Sequence, residues 1–249
     1  MTERQSSILK MVSQKQKVEV NTLSEVMGVS QVTIRKDLDA LESIGLLTRE
    51  HGYAVIRNIA DIGNRLAIHY DIKYKIAKAA AQTVSDGETV MIESGSSCAL
   101  LAQILAEEKK DVTIITNSAF IARHIRETSV GKVVLLGGEY QKESEVMVGP
   151  MVRICAREFY VDKFFMGTDG FIPEAGFTCG DMMRGEAMKN MAESARHTII
   201  LTDSSKFSQH GVVLQARLDT INTVFTDKEI PAEAKKILIE NGIKVETAE

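Results

Sequence analysis

From Thr89 onward the chain alternates short apolar runs with amphipathic stretches: TVMIE then CALLAQILAEEK, VTIIT then SAFIARHIRE, KVVLLGG then PMVRICAREF, DKFFMGTDG then MMRGEAMKNMAESA, and HTIILTD. TVFTD, a helix near Ala232 to Asn241, and IKVET complete the series. Strands that alternate with helices of this length predict an α/β domain on a largely parallel sheet, with helices on both faces. In such a sheet the loops at the carboxyl ends of the strands form the ligand crevice.

The first sixty or so residues follow a different rule. Thr2 and Gln5 have capping-box spacing before a helix whose apolar face is Ile8, Leu9 and Val12, running to about Gln14. Thr22 and Glu25 repeat that spacing before Leu23, Val26 and Met27, and Gly28 supplies a left-handed stop. Ser30 caps a third helix from Gln31 to Ser43, ended by Gly45, and LLTREHGYAVI reads as two strands about His51-Gly52. Helix, helix, tight GVS turn, helix and hairpin is the order of a winged helix-turn-helix. The expected organisation is a DNA-binding domain over 1–58, a partly helical linker over 59–74, and an α/β effector-binding domain over 75–249.

The third helix, inside VSQVTIRKDL, raises a question. Ile34, Leu38 and Leu41 share its core face, and Val32, Thr33, Lys36 and Asp39 share the opposite one, with Arg35 on the shoulder. Val32 on a solvated face has two readings: it packs on the wing or the first helix, or it meets a partner such as a thymine methyl. The net charge of −4 and pI near 5.8 argue against a chain that coats nucleic acid non-specifically, so any nucleic-acid site is a local one. In the first segment Arg4, Lys10, Lys15, Lys17, Arg35, Lys36, Arg49 and Arg57 nearly balance Glu3, Glu19, Glu25, Asp37, Asp39, Glu42 and Glu50. DNA affinity then depends on where charges stand rather than on their sum.

Other chemistries find little support. Cys98, Cys155 and Cys179 are odd in number and far apart, which suits a reduced cytosol and neither a disulfide framework nor a metal knuckle. The histidines lack ligand spacing, so no metal and no cofactor is expected. The N-terminus is broken by charges every few residues, unlike a signal peptide or a membrane span. Met182, Met183, Met188 and Met191 read as helix packing. Gly137 to Gly149 lacks dinucleotide or P-loop order and reads as a mobile loop over the pocket.

The strand-end loops turn small and polar. After TVMIE comes the sequence SGSS, Ser94, Gly95, Ser96 and Ser97, just before a helix. Alone it is either a tight turn with a serine cap or a phosphate-binding helix start. Asn117-Ser118, Gly137-Gly138, Gly167-Thr168-Asp169-Gly170 and Ser204-Ser205-Lys206 follow at the other strand ends. Together they favour a pocket for a polar anionic small molecule, with Lys206 facing the anion and Glu93 and Asp169 bonding hydroxyls.

These motifs, in order, carry a resemblance. VSQVTIRKDLDALESIGLLTREHGYAV, IESGSS, TNSAFIA, LLGG, DKFFMGTDG, GFT and LTDSSKF resemble the DeoR-type bacterial transcription regulators along nearly the whole chain. The resemblance implies a repressor of a carbohydrate operon. Its winged helix-turn-helix would bind double-stranded operator DNA, and a sensor domain similar to sugar-phosphate isomerases would bind a phosphorylated sugar. Ser30, Gln31, Val32, Thr33, Arg35 and Lys36 would then meet DNA, with Arg49 and His51 of the wing near the backbone. Glu93, Ser94, Gly95, Ser96, Ser97, Asn117, Gly138, Asp169 and Lys206 would hold the effector. A single half-site contact would be weak, so a homo-oligomer, dimer or tetramer, is expected; the cysteine pattern and the lack of an apolar span place it in the bacterial cytoplasm, at the nucleoid through its operator, with no membrane association.

Three departures stand out. The usual Asp-Ser-Gly-Thr-Thr loop is Glu93 to Ser97 here, the usual acidic pair is Met183-Arg184, and a lysine one turn later is Met188. The alternative is an isomerase-like enzyme with a DNA module, using Asp169, Asp181 or Glu186 as base; Met183-Arg184 weakens it, and no catalytic residue is assigned.

Overall fold

The computed structural model describes residues 2–43, 45–56, 62–128 and 131–248. The expected domain boundary after residue 58 and the charge of Arg57 lie outside the described residues. The chain forms two compact units, Met1–Asp71 and Ile72–Glu249.

The first unit contains α1 (Glu3–Lys15), β1 (Lys17–Glu19), α2 (Val20–Met27), α3 (Gln31–Ser43), β2 (Thr48–Glu50), β3 (Tyr53–Val55) and α4 (Ile62–Ala67). The capping box forms as its spacing predicts: Gln5 N donates to Thr2 Oγ1 at 3.2 Å and Thr2 N to Gln5 Oε1 at 2.9 Å. Ile8, Leu9, Val12, Leu23, Ile34, Leu38 and Leu41 make the core. Asp37, buried, accepts from Arg4 Nε at 2.5 Å and tethers α1 to α3.

Two expectations need correction here. The chain enters α2 from β1, a strand of three residues too short to signal itself, which pairs antiparallel with β3 in a sheet of order β1-β3-β2. The helix therefore starts at Val20 with Glu19 at its N-cap and no side-chain cap, and Thr22 lies inside it. Val26, assigned to the apolar face, is 59% exposed, because α2 buries only Val20 and Leu23.

Gly28 closes α2 at φ +64°, with its own N–H and that of Val29 returned to Glu25 O and Ser24 O. A Cβ there meets no neighbour within 4 Å, so substitution acts through the backbone alone. Gly28→Ala should cost about 1–2 kcal/mol, read from the denaturant midpoint of the N-terminal unit. An unchanged midpoint would show that the turn has another conformation available.

After α5 (Tyr70–Ala81), which together with α4 fills much of the stretch read as linker, the second unit alternates as anticipated: β4 (Thr89–Ile92), α6 (Ser96–Glu108), β5 (Thr113–Thr116), α7 (Ala119–His124) and β6 (Lys132–Leu135). A hairpin of β7 (Glu139–Gln141) and β8 (Val146–Val148) comes next, then α8 (Pro150–Ala156) and β9 (Val161–Met166). β10 (Gly170–Ile172), β11 (Gly176–Cys179), α9 (Met182–Ala192), β12 (Ala195–Leu201), β13 (Val213–Arg217), β14 (Thr223–Asp227), α10 (Ala232–Glu240) and β15 (Lys244–Ala248) complete the unit.

Seven strands form a parallel sheet of order β15-β14-β12-β9-β4-β5-β6. The chain builds outward from β4 to β6, returns to the other side of β4 with β9, and builds outward again to β15. The switch in direction lies between β4 and β9, where the two following loops diverge and leave a crevice. A smaller antiparallel sheet, β10-β11-β13, was not legible in the sequence.

The segment Gly137 to Gly149 is a hairpin, not the expected mobile loop: β7 pairs with β8, Asn117 Nδ2 donates to Met147 O at 3.0 Å, and Ala119 N donates to Glu145 O at 2.9 Å. Met188 and Met191 pack in the core as expected, whereas Met182 is 73% exposed on the outer face of α9.

Candidate functional site

On the first unit the solvent face of α3 presents Gln31, Val32, Arg35 and Lys36, all exposed, with Val32 61% exposed. Val32 therefore does not pack on the wing or on α1. Ser30 caps the helix, with Thr33 N donating to its Oγ at 3.3 Å and the two hydroxyls 3.0 Å apart. Those hydroxyls fix the start of the helix. Arg35 Nη2 donates to Gln31 Oε1 at 3.3 Å, which aligns one long side chain along the exposed face.

The wing is divided. His51 sits exposed at the hairpin turn with φ +43°, next to Gly52 at φ +88°. Tyr53 lies under the Lys17 ammonium, 4.3 Å from ring centroid to Nζ. Arg49 is ion-paired with Asp39 of α3, and its backbone N–H donates to Glu42 Oε1 at 2.7 Å. That guanidinium braces the wing against α3, whereas Arg35 and Lys36 on the exposed face of α3 have no carboxylate partner among the described residues.

In the second unit Glu93 follows β4 and is buried. Its carboxylate accepts from Ser94 Oγ at 2.7 Å, Gly95 N at 2.8 Å and Gly167 N at 3.2 Å. The expected hydroxyl partner is thus the chain's own Ser94, and the carboxylate ties the β4 loop to the β9 loop across the switch point. The loops touch closely: a Cβ on Gly95 would stand 3.2 Å from Gly167 Cα and 3.1 Å from Glu93 Oε2. Gly95 is the N-cap of α6 and no side chain caps the helix. Its first amides have no side-chain cap, an arrangement that favours anions in general, with Ser94 and Ser97 buried and Ser96 half-buried beside them.

The flanking loops add named groups. Asn117, buried after β5, bonds Met147 O through its amide nitrogen and leaves Oδ1 buried without a partner. Asp169 Oδ2 accepts from Gly180 N at 3.1 Å, joining the loops after β9 and β11. Lys206 stands on a 3-10 turn, Ser204–Ser208, after β12. That turn is capped by Asp203, pinned by Ser204 N to Asp227 Oδ1 at 2.6 Å, and anchored by Phe207 against Phe171 at 5.4 Å. The Lys206 ammonium donates to Gln209 Oε1 at 3.2 Å. Gly138 lies beyond β6 at the sheet edge, where a Cβ would come within 2.6 Å of Val148 O; its small size admits the hairpin.

Two further groups stand out that the sequence reading did not assign to a site. Gln215, buried in β13, donates to Gly167 O at 2.6 Å and leaves Oε1 buried without a partner. A glutamine inside the apolar run VVLQA was the available signal. Arg184 lies in the first turn of α9 near Asp169 and Asp181. Cys179 lies among these charges, its thiol pushed up first by burial, and then by Asp169 and Glu93 against the opposing Asp181 backbone bond and Arg184. Glu186 is exposed and Met188 is core, so neither offers proton chemistry at a buried site. Among the described residues no cluster of His, Cys, Asp and Glu is arranged to hold a metal, and no helix is long and apolar enough to cross a membrane.

Comparison with known proteins matches residues 4–59 to the DeoR-like helix-turn-helix domain and residues 68–228 to the DeoR C terminal sensor domain. The putative aga operon transcriptional repressor of Escherichia coli O157:H7 is 29% identical, over 98% of this chain and 93% of that protein. The glycerol-3-phosphate regulon repressor of Escherichia coli strain K12 is 25% identical, over 98% of each. The solved structure of ribose 5-phosphate isomerase A from Methanocaldococcus jannaschii is similar over 56% of this chain and 55% of that one, with 24% identity and a TM-score of 0.41.

Proposed function

This chain belongs to the DeoR family and is a DNA-binding regulator of carbohydrate operons, and from that premise we propose that it is a repressor switched by a phosphorylated sugar held at the β4–β9 crevice. The observation that carries the effector reading is the uncapped amino end of α6 at the switch point, behind a loop of small hydroxyl residues. Exposed amides and the helix dipole stabilise a bound anion by about 0.3–1 kcal/mol, and by up to about 2 kcal/mol when partly buried. Lys206 supplies the countercharge, Asp169 bonds a hydroxyl, and Glu93 holds the loop in shape rather than touching the ligand. One of the relatives represses the glycerol-3-phosphate regulon, which accords with a phosphorylated effector.

The operator is read by α3 through Gln31, Val32, Thr33, Arg35 and Lys36, with His51 at the backbone and Arg49 as a brace. A single half-site with so few contacts binds weakly, so the working form is a homo-oligomer, dimer or tetramer. The effector acts by preferring one arrangement of subunits, and it shifts operator affinity only by that difference. The chain binds its sugar phosphate without converting it; measurable isomerase turnover would overturn that point.

The test uses operator DNA selected from a random library by the full-length protein. Sugar phosphates titrated into the complex should change operator affinity by about 5–150-fold. Lys206→Ala should keep operator binding and lose the response. Loss of operator binding in that variant, or no response to any sugar phosphate in the wild type, would sink the assignment.

A further inference from the structure

Arg184 occupies the first turn of α9, where a positive charge opposes the helix dipole. The helix start already has its cap, since Arg184 N donates to Asp181 Oδ1 at 2.8 Å. The guanidinium is therefore not needed there for the helix. Its side chain is only 16% exposed, and the nearest carboxylate oxygens, Asp169 Oδ2 and Asp181 Oδ1, lie 3.9 and 4.0 Å away, beyond hydrogen-bond distance. Nε is buried without a hydrogen-bond partner.

Both carboxylates have other donors: Gly180 N on Asp169, and Arg184 N with Gln141 Nε2 on Asp181. Taking a guanidinium out of water and leaving a buried N–H unpaired is costly, unless an acceptor arrives. A planar fork in this state suits a carboxylate or phosphate bound through two oxygens.

Two other buried groups without hydrogen-bond partners, on β13 and in the loop after β5, have the opposite polarity. Asn117 Oδ1 and Gln215 Oε1 are buried acceptors without donors, and each amide's orientation is fixed because its nitrogen donates to a backbone carbonyl. Buried acceptors match hydroxyl groups. Uncapped amides at α6, acceptors at Asn117 and Gln215, and a guanidinium at Arg184 held only at ion-pair distance, without a hydrogen bond from Nε, suit a polyhydroxy chain with an anion at both ends.

We propose that Arg184 reads a second anionic group, a carboxylate remote from the phosphate, so that the protein prefers a phosphorylated sugar acid to the corresponding aldose phosphate. This rests on the sugar-phosphate reading of the same crevice.

Calorimetric titration of the full-length protein with matched pairs tests it: ribose 5-phosphate against 5-phosphoribonate, and glucose 6-phosphate against 6-phosphogluconate, with inorganic phosphate as control. The wild type should prefer the acid of at least one pair by about ten- to a hundredfold. Arg184→Gln should reduce that ratio to about twofold or less, and Arg184→Lys should restore part of it. Aldose phosphates bound as well as their acids, or a preference that survives Arg184→Gln, would overturn the role of Arg184 and leave the sugar-phosphate reading standing. Binding of no member of either pair would overturn both.

Discussion

Replacing Arg35 and Lys36 together by alanine should lower operator affinity by on the order of a hundredfold or more, since each base or phosphate contact contributes about 1–3 kcal/mol. Both side chains are exposed on α3 and neither is ion-paired among the described residues, in contrast to Arg49, which is held by Asp39. If Lys36 meets a phosphate, Lys36→Ala alone should weaken binding to all sequences alike and reduce the salt slope by about 1. Val32→Ala should behave differently. An aliphatic side chain 61% exposed contributes little charge-driven affinity, so its loss should relax preference at one base position and leave the salt slope unchanged. Binding isotherms at several salt concentrations separate these outcomes. Unchanged affinity in the Arg35/Lys36 double variant would sink the assigned face.

Glu93→Ala should be the most damaging change in the second unit. It removes the acceptor for two backbone N–H groups, those of Gly95 and Gly167, and for the Ser94 hydroxyl. A buried donor left unsatisfied costs about 1–3 kcal/mol, so the sensor unit should lose about 2–5 kcal/mol, seen in its thermal unfolding. The effector response should vanish as the β4 and β9 loops part, while operator binding by the first unit persists. Glu93→Gln retains an acceptor oxygen and should recover part of both. A variant Glu93→Ala that unfolds like the wild type and still responds would show that the carboxylate is no staple.

Much of the N-terminal unit was legible because its signals are local. Capping boxes, a glycine stop and a 3.6-residue stripe act within a few residues, and α1 and α3 form where those signals put them. Where tertiary pairing intervened, the local reading failed: β1 pulls the start of α2 back to Val20, and Thr22 loses its cap role. The hairpin over residues 139–148 was missed for a related reason. Its two strands have three residues each and take their hold from Asn117 and Ala119, distant in sequence.

The candidate crevice divides in the same way. Periodicity determined that residues 89–248 form a largely parallel sheet with polar loops at its strand ends, because a strand buried on both faces must be apolar throughout. It also supplied the glycines and hydroxyls that let a helix start approach an anion. Strand order was beyond its reach. Only pairing across 70 or so residues puts β9 beside β4, as in the bond from Gly167 N to Glu93. That pairing sets the loop after β4 at the switch point and sends Gly138 to the edge. It also spends the Glu93 carboxylate on backbone amides. Charge behaved likewise: composition counted Arg49 and Arg184 as cations, and the fold committed the first to Asp39 while leaving a buried nitrogen of the second at ion-pair distance from Asp181 without a hydrogen bond. Residue type fixes what a group is able to bond; the desolvation and distances that decide what it does bond arise only when remote segments meet.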